Sequence, residues 1–304
     1  MALTPRVAAL LCLPPLLWAG NAVVGRLLVG QVPSQSLNAL RWGLAALLLL
    51  PAGWRALATP GARAALWQRR GPLLRLGLLG VTAYNALQYL ALTTTTPLNA
   101  TLIAASGPVW MLLLGFLLHG ERPLRREWLG CVLSLAGVLV VVSRGDLHQL
   151  LRVHLVRGDA LMLLAVVCWS LYSWTLARPA ASMRAPQRPD WNWAEFLLVQ
   201  VLFGGFFAAL AAQAEQWIAP QPIVWSTGVV AALLYVAIGP SILAYWCWGI
   251  GVARAGPAVA GFFNNLTPLF AAALSVLMLG EVPQAHHGLA FALVLAGIAV
   301  SSKR

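Results

Sequence analysis

The sequence predicts an all-α integral membrane protein with ten transmembrane helices, arranged as a five-plus-five inverted-topology repeat around a central cavity. Three observations support this prediction: the composition, the number of long apolar stretches and an internal duplication. Of the 304 residues, 60% are hydrophobic and 9% are charged, and the mean hydropathy is +0.79. This composition leaves too little polar surface to cover a soluble globule of this size.

Ten apolar stretches are long enough to cross a bilayer as helices. A hydrocarbon core roughly 30 Å thick needs about 20 apolar residues, each adding about 1.5 Å of helix. In chain order, the predicted spans 1 to 10 are 7–29, 34–54, 72–92, 98–118, 125–143, 159–178, 195–214, 226–249, 257–279 and 285–302. Since the connectors are too short to fold alone, we expect one transmembrane domain over residues 1–304.

The duplication is visible when residues 97–144 are aligned with residues 257–304 at a constant offset of 160. The two segments are identical at 15 of 48 positions, whereas chance predicts about a tenth for apolar segments, or roughly five. We therefore expect a first repeat at 1–150 and a second at 151–304. Because each copy holds five spans, the second enters the membrane from the opposite side, and such repeats place a substrate site at their interface. This favours a transporter over a receptor or scaffold.

The charges indicate the orientation in the membrane. With the N-terminus inside, 15 basic residues fall on the cytoplasmic side and three on the other, which is the positive-inside pattern. The cytoplasmic set is Arg6, Arg55, Arg63, Arg69, Arg70, Arg75, Arg122, Arg125, Arg126, Arg178, Arg184, Arg188, Arg254, Lys303 and Arg304. Both termini are therefore expected in the cytoplasm. We expect no nucleic-acid partner, because no basic face is interleaved with exposed aromatic residues.

Two prolines, Pro108 in span 4 and Pro268 in span 9, occupy equivalent mid-membrane positions of the two copies. Each removes a backbone donor and displaces the carbonyl four residues earlier, which kinks a helix. The freed groups need polar neighbours or water, so both prolines are expected to face the interior. They are candidate gating hinges, with a static kink as the alternative.

Motifs along the whole chain resemble those of EamA-type transporters of the drug/metabolite transporter superfamily. These motifs are Leu17-Trp18-Ala19-Gly20-Asn21-Ala22, Pro33 followed by Arg41, Arg157-Gly158-Asp159, Cys168-Trp169-Ser170-Leu171-Tyr172, the repeated Gly-Glu-x-Pro at 120–123 and 280–283, and Leu-Ala-Gly at 135–137 and 295–297. Within that superfamily, the sequence is most similar to YddG-type exporters of aromatic amino acids. The resemblance implies that spans 1 to 4 and 6 to 9 surround a central cavity, with spans 5 and 10 peripheral. It also implies a bacterial inner-membrane exporter of amino acids and related small metabolites.

Polar and aromatic residues inside the spans are the candidates for substrate binding. All five tyrosines lie within spans, and a tyrosine deep in a bilayer needs a hydrogen-bond partner. The candidates are Trp18, Asn21, Tyr84, Gln88, Tyr89, Asn99, Trp110, Trp169, Tyr172, Ser173, Tyr245, Trp246, Asn264 and Asn265. Each is also compatible with an interhelical hydrogen bond or a core ring. Tryptophans near span ends are expected to be interfacial anchors: Trp42, Trp54, Trp67, Trp128, Trp191, Trp193, Trp217 and Trp225.

The eight acidic residues all fall at span ends or in connectors, so no carboxylate lies at mid-membrane. Proton-driven exporters of organic cations usually rely on such a group, and facilitated passage without ion coupling is therefore favoured. The four cysteines lie within apolar spans and lack metal-ligand spacing. We expect no metal and no cofactor. The expected partners are the small-molecule substrate and membrane lipid.

Two arginines lie inside spans. Arg26 could attract a carboxylate or extend to the membrane surface, and Arg41 could equally have a structural role. Gly130 and Ser134 in span 5 could mediate helix contacts either within one chain or between chains, and the monomer is favoured.

An enzyme is not expected, although His154 and Asp159 form an H-x4-D pattern like that of glycerolipid acyltransferases. Asp159 is equally suited to stabilise the N-terminus of span 6 through the helix dipole. A membrane acyltransferase therefore remains a distant alternative. The nearest alternative is an exporter of another small metabolite or of a nucleotide sugar.

Overall fold

The computed structural model describes residues 3–146, 148, 150, 154–279 and 284–302, and this part folds as helices and connectors without strands. The α-helices are α1 (Pro5–Leu27), α2 (Ser34–Gly53), α3 (Arg55–Ala58), α4 (Pro60–Gln68), α5 (Arg70–Leu76), α6 (Tyr84–Ala91), α7 (Pro97–Ala105), α8 (Gly107–His119), α9 (Arg125–Val142), α10 (Arg157–Ala177), α11 (Trp193–Ile218), α12 (Thr227–Val236), α13 (Ala244–Ala255), α14 (Pro257–Asn264), α15 (Thr267–Leu279) and α16 (Ala285–Ser302). The prediction of an all-α chain is confirmed for these residues.

Seven helical segments in the described part are long and apolar enough to cross a membrane, judged by length and composition. They are Ser34–Gly53, Asn99–His119, Arg157–Ala177, Trp193–Ile218, Thr227–Ala255, Pro257–Leu274 and Ala285–Ser302. The three other predicted spans also fold as helices, in α1, in α5 with α6, and in α9, but they are not among these seven. The protein is therefore a multi-pass membrane protein, and the number of ten spans stays a prediction.

Two π-helical segments interrupt the helices of predicted spans 3 and 8. They are Gly77–Ala83, between α5 and α6, and Ala237–Leu243, between α12 and α13. Both contain seven residues, and their first residues are 160 positions apart. The breaks between α7 and α8 and between α14 and α15 are related by a similar spacing. The offset of the sequence duplication thus recurs in the positions of helix irregularities.

Helices α9 and α16 pack closely because small residues bring their backbones together. A Cβ atom on Gly137 would lie 2.8 Å from the carbonyl oxygen of Ala290, and one on Gly297 would lie 2.8 Å from that of Gly130 and 3.0 Å from Cβ of Ser134. The contacts expected from Gly130 and Ser134 therefore occur within one chain.

Helix α11 packs in the same way against α2 and against the first π-helical segment. A Cβ atom on Gly77 would lie 2.6 Å from the backbone nitrogen of Gly204, and one on Gly53 would lie 2.7 Å from Cδ2 of Leu198. These approaches hold α11 beside two different elements of the first half of the chain. They also fix the position of the first π-helical segment in the interior.

Glu215 in α11 caps the N-terminus of α2, because Pro33 at the capping position provides no side-chain acceptor. The carboxylate accepts hydrogen bonds from the backbone nitrogens of Gln35 and Ser36, both at 3.0 Å, and from Oγ of Ser34 at 2.9 Å. Orphan donors at a helix start need such a partner, above all within a membrane.

The predicted location of one side chain is wrong. Trp42 was predicted to be an interfacial anchor, but its side chain is fully buried and its ring contacts Tyr245 at a centroid distance of 5.0 Å. It lies on the inward side of α2, which its place in the sequence does not reveal. Some expectations fall outside the described residues, namely those on the two ends of the chain, on the 280–283 motif with Glu281, and on the side chain of Arg26.

The close approach of α9 and α16 predicts that Gly137→Ala lowers the free energy of unfolding by about 1–3 kcal/mol, because the new methyl group overlaps the backbone of α16. The matched control is Gly43→Ala, in the lipid-exposed middle of α2, where a Cβ atom meets nothing within 4 Å. The measurement is the melting temperature of the detergent-purified protein. Equal or higher stability of the Gly137 variant would contradict the packing described here.

Candidate functional site

A cavity of about 290 Å³ lies between α5, α10, α11 and α13. The uncharged residues with hydroxyl or amide groups in its lining are Tyr172, Thr175, Gln200 and Tyr245. Apolar side chains complete the rest of the wall, and the one charged side chain in its lining is Arg188. A mostly apolar hollow with a few convergent polar groups is the usual form of a small-molecule site.

A cluster of aromatic rings adjoins this cavity and is centred on Trp169 of α10. Its members come from α1, α6, α10 and α13. The ring centroid of Trp169 lies 5.1 Å from Trp18, 5.2 Å from Tyr84, 5.2 Å from Tyr172, 5.5 Å from Tyr245 and 5.2 Å from Trp248. These distances lie in the favourable range for aromatic pairs. Since Tyr172 and Tyr245 also line the cavity, the cluster forms one of its walls.

The polar atoms of the cluster bind groups of neighbouring helices. The hydroxyl of Tyr245 donates to the carbonyl of Gly80 at 2.5 Å, and the indole N–H of Trp18 donates to the carbonyl of Pro240 at 3.1 Å. The hydroxyl of Tyr172 bonds to Oε1 of Gln200 at 3.1 Å. The rings are therefore held in position from several sides.

Arg41 of α2 is buried next to the cluster, with 1% of its surface exposed. Its Nε donates to Oγ of Ser241 at 2.8 Å, and its NH1 donates to Oδ1 of Asn85 at 3.1 Å and to the hydroxyl of Tyr89 at 3.2 Å. Asn85 in turn donates from Nδ2 to the hydroxyl of Tyr245 at 3.4 Å. A chain of hydrogen bonds thus joins the guanidinium group to the cavity wall.

Several predicted site residues lie together in this region. Trp18, Tyr84, Trp169, Tyr172 and Tyr245 belong to the ring cluster, as described above. Other candidates bond to or contact residues of the same region: Gln88 bonds to Tyr84, Tyr89 bonds to Arg41, Ser173 accepts from the indole N–H of Trp248, and Trp246 lines the cavity.

Other predicted residues have different surroundings. Asn99 donates to Asp159 at 3.0 Å, and Asn265 donates to Oγ of Ser134 at 2.8 Å. Trp110 packs against a separate apolar cluster that contains Met162. The amide oxygens of Asn21 and Asn264 are buried without a hydrogen-bond partner. A substrate-binding role for these residues stays a prediction.

The two prolines lie at breaks in their helices. Pro108 is buried within the first turn of α8, and its Cα atom lies 3.5 Å from the place of a Cβ on Gly261. Pro268 lies in the first turn of α15 and lines a second cavity of about 600 Å³. The helix interruptions expected at both prolines are present, and the role of these prolines as hinges stays a prediction.

Among the residues of this region that were not singled out as site candidates from the sequence are Gln200, Trp248 and Trp42. Gln200 is 2% exposed and reaches the cavity wall from α11. Trp248 is fully buried within the ring cluster. The sequence offered one usable signal, because Gln200 is an isolated amide within a long apolar helix.

The His154 and Asp159 pair has a structural explanation. Asp159 is 5% exposed and accepts hydrogen bonds from Oγ1 of Thr95, from Nδ2 of Asn99 and from the backbone nitrogen of Val156. It therefore joins the start of α10 to the start of α7. The imidazole of His154 is exposed, and the group that His154 contributes here is its backbone carbonyl, which accepts from Asn99.

Comparisons with known proteins find matches over nearly the full length. The model of the EamA-like transporter family matches residues 6–143 and 156–303. An uncharacterised transporter of Archaeoglobus fulgidus is 28% identical over 302 residues, covering 97% of this chain and 96% of the relative. The aromatic amino acid exporter YddG of Ancylobacter novellus is 26% identical over 288 residues, covering 94% and 93%. One crystal structure is similar with a TM-score of 0.74 and 25% identity, covering 97% of this chain and 96% of that one.

The hydrogen bonds of Asp159 predict that Asp159→Asn lowers the free energy of unfolding by about 1–3 kcal/mol, because the new amide turns a donor toward groups that already donate. His154→Ala is the matched control, since it removes an exposed ring and should change stability by less than about 0.5 kcal/mol. Both are measured as melting temperatures in detergent. A loss of stability in the His154 variant alone would contradict the assigned role of Asp159.

Proposed function

The chain belongs to the EamA-like transporter family, and on this premise we propose that it exports amino acids, with aromatic amino acids favoured, by alternating access. Family membership bears out the resemblance read from the motifs. It makes the chain a transporter of small molecules across a membrane. The substrate class is our proposal, and it rests on the cavity and on one named relative.

The observation that carries the proposal is the composition of the cavity wall. Aromatic rings of Tyr172, Tyr245 and Trp246 stand beside uncharged hydrogen-bonding groups of Thr175 and Gln200. An amino acid with an aromatic body matches this wall, because its ring can pack against rings while its polar end finds donors and acceptors. The similarity to a protein named as an aromatic amino acid exporter supports the same class.

The volume of the cavity beside the ring cluster favours an amino acid over a nucleotide sugar as the ligand of this site. At about 290 Å³, it lies at the small end of the usual range for ligand sites, which runs from roughly 300 to 1,000 Å³. A nucleotide sugar carries a base, two sugars and a diphosphate, and would need a larger space with cationic partners. Export of another small metabolite remains the alternative to amino acids.

We propose that ten spans form two inverted copies, 1–150 and 151–304, with the site between them. The common 160-residue spacing of the two π-helical segments supports this arrangement. So does the origin of the ring cluster, since Trp18 and Tyr84 come from the first copy while Trp169 and Tyr245 come from the second. In such transporters, the copies rock around a site near the midplane.

We further propose an inner-membrane location with both ends of the chain in the cytoplasm, and facilitated passage without ion coupling. The orientation follows from the excess of basic residues in the connectors assigned to the cytoplasm. The lack of coupling is supported by the cavity, because no carboxylate of the described residues lines it. A proton-coupled exporter of cations would need such a group to hold either the proton or the substrate.

The proposal predicts that purified protein in liposomes moves labelled tryptophan without altering it, and that Gly249→Phe lowers this flux by about tenfold or more, because binding energy is lost when the new ring fills the cavity. Gly249 lines the cavity, and a Cβ atom there meets nothing within 4 Å, so the new side chain begins in open space. Gly43→Phe, on the lipid-exposed face of α2, is the matched control and should keep its flux.

Three outcomes of that experiment would contradict the proposal. Chemical conversion of the substrate would indicate an enzyme, and absence of flux for tryptophan, phenylalanine and aliphatic amino acids would exclude the substrate class. Equal loss of flux in the Gly43 and Gly249 variants would remove the cavity from the transport path.

The inverted arrangement predicts that equivalent connectors of the two copies face opposite sides of the membrane. Gly61 and Gln221 are related by the 160-residue offset and are both exposed. In a cysteine-free background, Gly61→Cys should react with an impermeant maleimide from the cytoplasmic side, and Gln221→Cys from the other side. Labelling of both positions from one side would rule out inverted copies.

A further inference from the structure

Arg41 is a cation whose described partners are all uncharged. Its guanidinium donates to a serine hydroxyl, an asparagine carbonyl and a tyrosine hydroxyl. The ion pairs found among the described residues do not include it. Its Cζ atom lies 4.9 Å from the ring centroid of Trp42, which is a favourable but weak contact for a cation.

A buried positive charge without a counter-charge is unfavourable, and neutral hydrogen bonds offset only part of the desolvation. Such residues inside a membrane protein usually serve a ligand path and pair with an anion at some stage. Support of the fold alone would not require a charge here, because a serine hydroxyl, an amide carbonyl and a tyrosine hydroxyl accept hydrogen bonds from neutral donors as well as from a cation. An anionic group of a ligand is the partner that this charge lacks.

A hydrogen-bond donor without an acceptor lies beside Arg41. The indole N–H of Trp42 is buried without a hydrogen-bond partner, and its ring is 5.0 Å from that of Tyr245. Buried donors are almost always satisfied, and this exception lies against Tyr245, a residue of the cavity wall. The same helix carries Asn38, which is fully buried and whose two side-chain polar atoms also lack a partner.

Only two groups separate Arg41 from the cavity. Tyr245 lines the cavity, and its hydroxyl accepts from Asn85, whose Oδ1 accepts from Arg41. In the low-dielectric interior, a charge that is separated from the cavity by two side chains acts more strongly on a charged ligand than it would in water. Arg188, the other cation at the cavity, is exposed and lies over the ring of Phe196 at 4.8 Å, so solvent screens it.

We propose that Arg41 gives the transporter its preference for substrates that carry a carboxylate, which binds at the Tyr245 end of the cavity. This inference rests on the proposed transport of amino acids and defines the part of the substrate that is recognised. The aromatic body of the substrate lies against the remaining cavity wall. Amines that lack the carboxylate are poor substrates, because the nearest buried charge repels them.

The test compares ligands that differ only in charge. Binding of indole-3-propionate and of indole-3-propionamide to the detergent-purified full chain is measured at pH 7 by the shift in melting temperature. A second pair, 4-methylpentanoate and 4-methylpentanamide, has an aliphatic body. In whichever pair the protein binds, we expect the acid to bind about tenfold more tightly than its amide.

Four variants assign this preference to a residue. Arg41→Gln should bring the ratio of the two affinities close to one, and Arg41→Lys should retain part of it. Ser241→Ala removes one hydrogen bond of Arg41 but keeps the charge, so it should keep the preference for the acid. Arg188→Gln removes the exposed cation of the same cavity and should also keep the preference.

The outcomes separate the inference from the proposed function. Preference for the acid in the aliphatic pair only, without tryptophan flux, would reject aromatic substrates and retain the role of Arg41. Equal binding of acid and amide by the wild-type chain in both pairs, or no binding of any of them, overturns the inference even if Arg41→Gln does not fold. Loss of the preference in Arg188→Gln and not in the Arg41 variants also overturns it.

Discussion

The backbone carbonyls of the first π-helical segment, Gly77–Ala83, need partners inside the protein, and this need arranges the residues around the cavity. No water is present in a bilayer core to satisfy a carbonyl released from the α-helical pattern. The carbonyl of Gly80 accepts from both Asn85 and Tyr245. Because these side chains are tied to the backbone, Asn85 presents its oxygen to Arg41 and Tyr245 presents its ring to the cavity. One irregular turn therefore positions a charge and an aromatic wall together.

The second π-helical segment, Ala237–Leu243, also positions side chains next to Arg41 and the ring cluster. Its Pro240 cannot donate a backbone hydrogen bond, and the carbonyl of Pro240 accepts from the indole of Trp18. Ser241, the next residue, donates to Val236 and accepts from Arg41. The two segments thus meet at Arg41, one through Asn85 and the other through Ser241. Their irregular backbone is tolerated because side chains from other helices complete its hydrogen bonds.

The sequence predicted which residues belong inside the membrane better than it predicted where they point. The all-helical fold, the multi-pass class and the family followed from composition and motifs, and the interior position of Tyr172 and Tyr245 followed from the need of a hydroxyl for a partner. Trp42 and Gln200 were missed because these helices are apolar on most faces, so periodicity does not distinguish the side that faces lipid from the side that faces the cavity. The first π-helical segment gave no recognisable signal in the sequence, and Pro240 marks the second only as an irregularity within a helix.

Differences in contact strength indicate which parts of the molecule can move during transport. The backbones of α9 and α16 touch at glycines, and close-packed contacts of this kind are fixed and not continuously deformable. The rings around Trp169 are held by aromatic contacts that contribute about 0.5–1.5 kcal/mol each and by hydrogen bonds to neighbouring helices, and a rearrangement can exchange such contacts one at a time. The breaks at Pro108 and Pro268 lie in helices next to this cluster and leave the paired helices uninterrupted. On the proposed mechanism, the helices around the cavity change position about these breaks while the paired helices stay fixed.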